Sequence, residues 1–118
     1  MNYLDAKAKC KADGAYLATP RSDTENDYIA SLIFGQNIWI GLNDIIEEGR
    51  FVSEDGRDIS FTKWGLGEPH SFLQINGEDN ERSDEDGVVL RKNKFWNDRP
   101  INALFSFVCL FNIVGEFF

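Results

Sequence analysis

Ile38-Trp39-Ile40-Gly41-Leu42 is the stretch on which the fold turns. It is a short apolar run broken only by Gly41, as expected of a buried strand, and the period of the chain changes there. On its N-terminal side the spacing is helical. Asn2 is a candidate N-cap with Asp5 three residues on, Ala6 and Cys10 share a face at i and i+4, and Gly14 can close the helix. Ser22 and Glu25 then form a capping box, and the apolar stripe Ile29, Leu32, Ile33 ends at Gly35, which predicts a helix over Asp23 to Phe34. On the C-terminal side, short strand candidates follow at Phe51–Val52, Ile59–Thr62, Val88–Leu90, Phe95–Trp96 and Phe105–Phe111, separated by Gly, Asp and Asn turns. In the last of these, both alternating sets are apolar enough to predict burial of both faces. Two helices followed by strands is an α+β order.

Composition narrows the chemistry. The 118 residues, 42% apolar and 27% charged, fit one soluble domain over residues 1–118, and no repeat or low-complexity linker divides it. Twelve Lys and Arg against twenty Asp and Glu give a net charge of −8, which disfavours nucleic acid because phosphate binding draws on basic side chains. One histidine, His70, and two cysteines, Cys10 and Cys109, are too few for a tetrahedral zinc cluster or an iron–sulfur site, so oxygen ligands remain. No run of about 18 apolar residues is present to span a membrane. Residues 104–118 come closest, but Ser106, Asn112 and Glu116 interrupt them, and a core strand is expected instead. Met1-Asn2-Tyr3 shows no signal peptide and no glycosylation sequon occurs, so composition leaves the compartment open.

Between Gly65 and Gly87 the periodicity fades into a long polar loop, well beyond the usual connection length. It carries Glu68, Pro69, His70, Asn76, Glu78, Asp79, Asn80, Glu81, Asp84, Glu85 and Asp86. Such a run is a solvated acidic loop or a supply of hard oxygen donors.

Taken in order, Cys10, Trp39-Ile40-Gly41-Leu42, Glu68-Pro69-His70, Trp96-Asn97-Asp98 and Phe107-Val108-Cys109 resemble the C-type lectin domain over nearly the whole chain. Ala18-Thr19-Pro20-Arg21-Ser22 leading to Glu25-Asn26 is similar to the collectin branch, which includes the mannose-binding proteins. The resemblance implies two helices flanking antiparallel sheets, with the long loop at 65–87 holding calcium. By position, the primary Ca²⁺ ligands it implies are Glu68, Glu85, Asn97 and Asp98, with the Asp98 carbonyl. Calcium takes six to eight oxygens, so about five protein ligands leave room for two vicinal sugar hydroxyls. The same Glu68, Glu85, Asn97 and Asp98 would hydrogen-bond those hydroxyls, carboxylates accepting and the Asn97 amide donating. An auxiliary calcium is implied at Asp44 and Glu48 with Glu85 and Asp86. Glu68-Pro69 is expected to be cis by the same resemblance.

This sequence departs from the family at several points. His70 stands where an oxygen ligand is usual; imidazole suits calcium poorly but can donate to a sugar hydroxyl. Ser71 replaces a carboxylate of the auxiliary site. The loop is longer than in the mannose-binding proteins, which adds Asn76, Glu78, Asp79 and Asn80 as oxygen donors. The family's second disulfide is missing, because its positions are Gly87 and Ile101. A bridge between Cys10 and Cys109 is implied, worth about 4.7 kcal/mol for a loop of roughly 100 residues on the chain-entropy model. The usual strand before the first helix is not seen, which predicts an open edge beside the last strand, with the apolar C-terminal tail covering that edge or the edge of a second copy in a homo-oligomer.

The function expected is calcium-dependent binding of carbohydrate, on cell surfaces or glycoproteins, with mannose-type sugars favoured by Glu68. The resemblance places the chain outside the cell, secreted or extracellular. The alternative is a lectin-like domain that binds a protein or serves adhesion, with or without calcium; ice binding also occurs on this fold. No enzyme is expected, since a catalytic triad would rest on His70 alone and no Gly-x-Ser-x-Gly elbow is present.

Overall fold

The computed structural model describes residues 1–33, 35–47, 49–65 and 86–111. Helix α1 (Tyr3–Ala12) begins where the sequence predicts: the Asn2 side chain accepts from the Asp5 amide at 2.8 Å, satisfying a first-turn donor that has no partner inside the helix. Beyond its end, Gly14 takes φ +78° and its amide donates to the Lys11 carbonyl, a conformation that side-chain-bearing residues avoid. Helix α2 (Asp23–Leu32) is capped by Ser22, whose hydroxyl accepts from the Glu25 amide at 3.1 Å. The return half of the box is displaced, because Glu25 Oε1 accepts from the Arg21 amide rather than that of Ser22. The buried face of α2 is also rotated from the one expected. Asn26 and Ile29 are buried, with Ala30 and Ile33 packed beside them, whereas Leu32 is 45% exposed.

Seven short strands complete the described chain: β1 (Tyr16–Leu17), β2 (Ile38–Asn43), β3 (Val52–Ser53), β4 (Asp86–Leu90), β5 (Trp96–Pro100), β6 (Ser106–Phe107) and β7 (Cys109–Leu110). The larger sheet runs β3-β2-β4-β5, antiparallel throughout, and β6 joins β2 in parallel. Since β4 occupies one edge of β2, β3 and β6 share the other, β3 at Leu42–Asn43 and β6 at Ile38–Trp39. The smaller sheet pairs β1 with β7.

The period-2 alternation of β2 and β4 separates two cores. Ile38, Ile40 and Leu42 join Val88, Leu90 and Trp96 against Ala18 and the α2 residue Ile29. Trp39 and Val89 point the other way, onto Tyr3, Ala6 and Cys10 of α1. Each such fully buried aliphatic side chain contributes about 1.5–3 kcal/mol. Gly41 lets β1 approach: a Cβ there would stand 2.5 Å from the Leu17 carbonyl oxygen. Cys10 and Cys109 are joined in a disulfide that ties α1 to β7.

Three expectations are corrected. Ile59–Thr62 forms no strand; Ile59 and Phe61 pack against the first core while their backbone pairs with no neighbouring strand among the described residues. Phe105–Phe111 is not one strand buried on both faces. It switches partner at Val108, from β2 to β1, and leaves Leu110 36% and Phe111 56% exposed. The edge expected to stay open is paired, since β7 lies against β1 and Met1 exchanges backbone hydrogen bonds with Phe105. The tail beyond Phe111, expected as a cover, lies outside the described residues, as do residues 66–85 of the long loop.

Candidate functional site

β5 carries Trp96, Asn97 and Asp98 in succession. Asp98 stands opposite Val88 and is 2% exposed; Asn97, opposite Val89, is half-buried. Asp86, 4% exposed, opens β4 opposite Pro100. Asp44 follows β2 directly, is 1% exposed, and its amide donates to the Asp86 carbonyl at 3.2 Å, so the end of β2 is tied to the start of β4. The strand pairing therefore gathers three of the acids implied by the resemblance, Asp44, Asp86 and Asp98, at one end of the sheet. Asp86, Asn97 and Asp98 each take part in a polar or electrostatic interaction.

Asp44 is the most informative of them. Its Oδ2 accepts from the Gly49 amide at 2.9 Å, while Oδ1 is buried and meets no donor at hydrogen-bond distance and angle among the described residues. Burial pushes the Asp44 carboxyl above its ordinary range; the Gly49 and Asp86 hydrogen bonds oppose this, and the charge of Asp98 adds to it. A buried carboxylate oxygen with no donor, held beside a second carboxylate, suits a hard cation. Among the described residues, however, no three His, Cys, Asp or Glu side chains are grouped closely enough to hold a metal. The Asp98 carbonyl, implied as a ligand, accepts from Arg99 Nη1 at 2.8 Å.

Glu68, His70 and Glu85 lie outside the described residues, as do Glu48, Pro69 and the extra donors Asn76, Glu78, Asp79 and Asn80. The flanks of their loop are described. Gly65 donates to the Trp96 carbonyl and Lys63 accepts from the Trp96 amide, both at 2.8 Å, which seats the N-terminal flank beside Asn97. Asp86, the C-terminal flank, enters β4 next to β5.

Sequence reasoning singled out Asn26 only as part of a motif. It is fully buried: its Nδ2 donates to the Lys94 carbonyl at 2.9 Å and its Oδ1 accepts from Trp96 Nε1 at 2.8 Å. The available signal was its place at i−3 from Ile29 and i−7 from Ile33, a polar residue on an apolar face. The network of Tyr3, Asn43 and Glu54 also went unread. Asn43 Nδ2 and the Tyr3 hydroxyl both donate to Glu54 Oε2, at 2.7 and 2.5 Å, and Lys7 approaches Glu54 Oε1 at 3.4 Å. Burial, and then the Glu54 charge, hold the Tyr3 hydroxyl far above its ordinary range, so it stays protonated as a donor.

Among the described residues no helix is long and apolar enough to cross a membrane. The chain is 34% identical to lectin BRA-3 of Megabalanus rosa over 117 residues, 98% of this chain and 68% of that protein. It is similar in structure to the mouse scavenger receptor C-type lectin carbohydrate-recognition domain, with a TM-score of 0.77 and 27% identity over 92% of this chain and 80% of that one. A calcium-independent type II antifreeze protein matches with a TM-score of 0.78 and 26% identity, over 92% of this chain and 77% of that one. The relatives named as lectins form a non-enzymatic class. A family model described as the lectin C-type domain matches residues 1–111, and the chain belongs to that family.

Proposed function

We propose that this domain binds carbohydrate through calcium. Glu68, Glu85, Asn97 and Asp98 hold the primary ion and read two sugar hydroxyls; Asp44, Glu48 and Asp86 serve an auxiliary ion; His70 lies against the sugar. The observation that carries this reading is the buried Asp44 Oδ1, without a donor among the described residues, beside the charge of Asp98. The seating of the loop flanks Gly65 and Asp86 on either side of β5 supports it further. Glu68 favours mannose-type sugars, and His70→Asn, which restores an oxygen ligand, raises calcium affinity. The ligands are glycans of cell surfaces or glycoproteins, and the disulfide accords with a secreted or extracellular site of action.

Thermal melts with millimolar calcium and with chelator, followed by a glycan array, test the proposal. Calcium raises the melting temperature, since a ligand that binds only the folded state stabilises it. Asp98→Ala abolishes sugar binding while the domain stays folded. A second reading, a calcium-independent lectin-like domain that binds a protein or serves adhesion, has the calcium-independent structural neighbour in its favour. Identical melts with and without calcium remove the metal from the proposal and favour that reading instead.

A further inference from the structure

We infer that Asn26, on helix α2, is the positioning residue of the strand that carries Asn97 and Asp98, and that it acts through the Trp96 indole; this rests on the calcium reading above. Both polar atoms of its carboxamide are committed to the segment just before those ligands, 68 and 70 residues away in sequence. Nδ2 holds the carbonyl of Lys94, which has the left-handed φ of +75°, unusual for a residue with a long side chain, in the turn between β4 and β5. Oδ1 holds the indole N–H of Trp96, which is itself fully buried.

Trp96 is a junction. Its amide donates to Lys63 and its carbonyl accepts from Gly65, so one peptide unit on each side of its Cα fixes the flank of the long loop. Its ring meets Trp64 and Phe61 edge-on, with centroids 5.6 and 5.8 Å away. A turn of the indole would leave two buried polar atoms without partners and would move the backbone that leads directly into Asn97 and Asp98. Asn26 thus stands to these ligands as outer-shell partners stand to the ligands of a metal, setting their direction without touching the ion.

Calcium chloride titration by calorimetry tests this on wild type, Asn26→Ala, Trp96→Phe and the double variant, at a temperature where circular dichroism shows each folded. Both single variants weaken calcium binding about ten-fold or more, the size of outer-shell losses elsewhere. The double variant loses less than the product of the two single losses, because the hydrogen bond between the two side chains is removed only once. If Asn26→Ala fails to fold, Asn26→Leu takes its place, since it keeps the side-chain volume and loses both polar atoms, while Trp96→Phe keeps a ring between Trp64 and Phe61 but loses the N–H together with part of the indole's bulk. Lower melting temperature with wild-type calcium affinity in the folded variants overturns the inference, because Asn26 then serves packing only. Absence of calcium binding by wild type overturns the reading of the site itself, a result distinct from the first.

Discussion

A Cβ on Gly87 would stand 2.5 Å from Cδ1 of Tyr3 and 2.9 Å from the Trp39 ring. Gly87 and Ile101 are the two positions read from the sequence as lacking a second bridge, and here the Tyr3 ring lies against the one while the Tyr3 amide donates to the carbonyl of the other at 2.9 Å. Tyr3 thus touches both positions, with its ring at Gly87 and its backbone amide at Ile101. Gly87→Ala is therefore expected to cost about 1–3 kcal/mol, the usual size of overpacking against rigid neighbours. Urea denaturation measures it, and an unchanged midpoint would mean that Tyr3 moves aside freely.

The remaining bridge, Cys10–Cys109, closes 99 residues of sequence. Chain entropy puts its contribution at about 4.7 kcal/mol, and losses of about 2–5 kcal/mol are typical when such a bond is removed. Cys10→Ala with Cys109→Ala should shift the urea midpoint by that much, and a reducing agent should shift wild type but leave the double variant unmoved.

Local chemistry was legible wherever one residue decides it. Asn2 and Ser22 each accept from the amide three residues on, Gly14 takes the left-handed turn after α1, and the β2 run was bounded within a residue. Pairing between distant segments was not. β1 is two residues long and its partner lies more than 90 residues away, so no period announces it. Ile59–Thr62 alternates like a strand, yet alternation reports which side is buried and not whether a neighbour is present. The α2 stripe was read from apolar types, and so Leu32 was placed inside and Asn26 overlooked. For the site, the family order named Asn97, Asp98, Asp44 and Asp86; the Asp44 amide meets the Asp86 carbonyl and the charge of Asp98 acts on the Asp44 carboxyl, yet among the described residues no three acidic side chains group closely enough to hold a metal. What the residue types could not give is that Asp44 would be buried with one oxygen lacking a donor among the described residues.

Arg21 and Asp55 form a second charged unit, on the far side of β3. Arg21 Nη2 meets both carboxylate oxygens of Asp55, at 2.7 and 2.9 Å, and only 9% of the Asp55 side chain is exposed. Burial alone would raise this carboxyl, but the Ser53 hydroxyl, the Arg21 guanidinium and the Arg57 amide outweigh it and hold the group well below the usual carboxylate range. A depressed folded value means that the stabilisation is complete above the unfolded value of about 3.9 and is lost as pH falls further, through the folded value. Asp55→Ala should cost about 3 kcal/mol at pH 7, since it strands a largely buried guanidinium. The difference from wild type, followed by urea denaturation, should be flat from pH 7 to 5 and shrink below pH 4. A gap that persists unchanged to pH 2.5 would show that shape, not charge, holds this corner.

Asp44 has the opposite sign. Its folded value is raised, so the unfolded chain releases the proton first and, without calcium, stability falls as pH climbs from about 3.9 through the folded value. At pH 7 the calcium-free domain then carries a penalty for burying this carboxyl beside Asp98. Asp44→Asn removes that charge; its Oδ1 can still accept from the Gly49 amide, and its Nδ2 takes the place of the oxygen that lacks a donor. In chelator, the variant should be more stable than wild type at pH 7 and equal to it near pH 3, where Asp44 is protonated in both states. Millimolar calcium should reverse the order at pH 7, because only the wild-type carboxylate gains the ion, and calorimetry should register fewer calcium ions bound per chain of the variant. If the variant keeps its advantage in calcium, Asp44 is a buried charge that no ion relieves, the auxiliary site is lost together with the observation that carries the calcium reading, and an ion at Asn97 and Asp98 then rests on calcium titration alone.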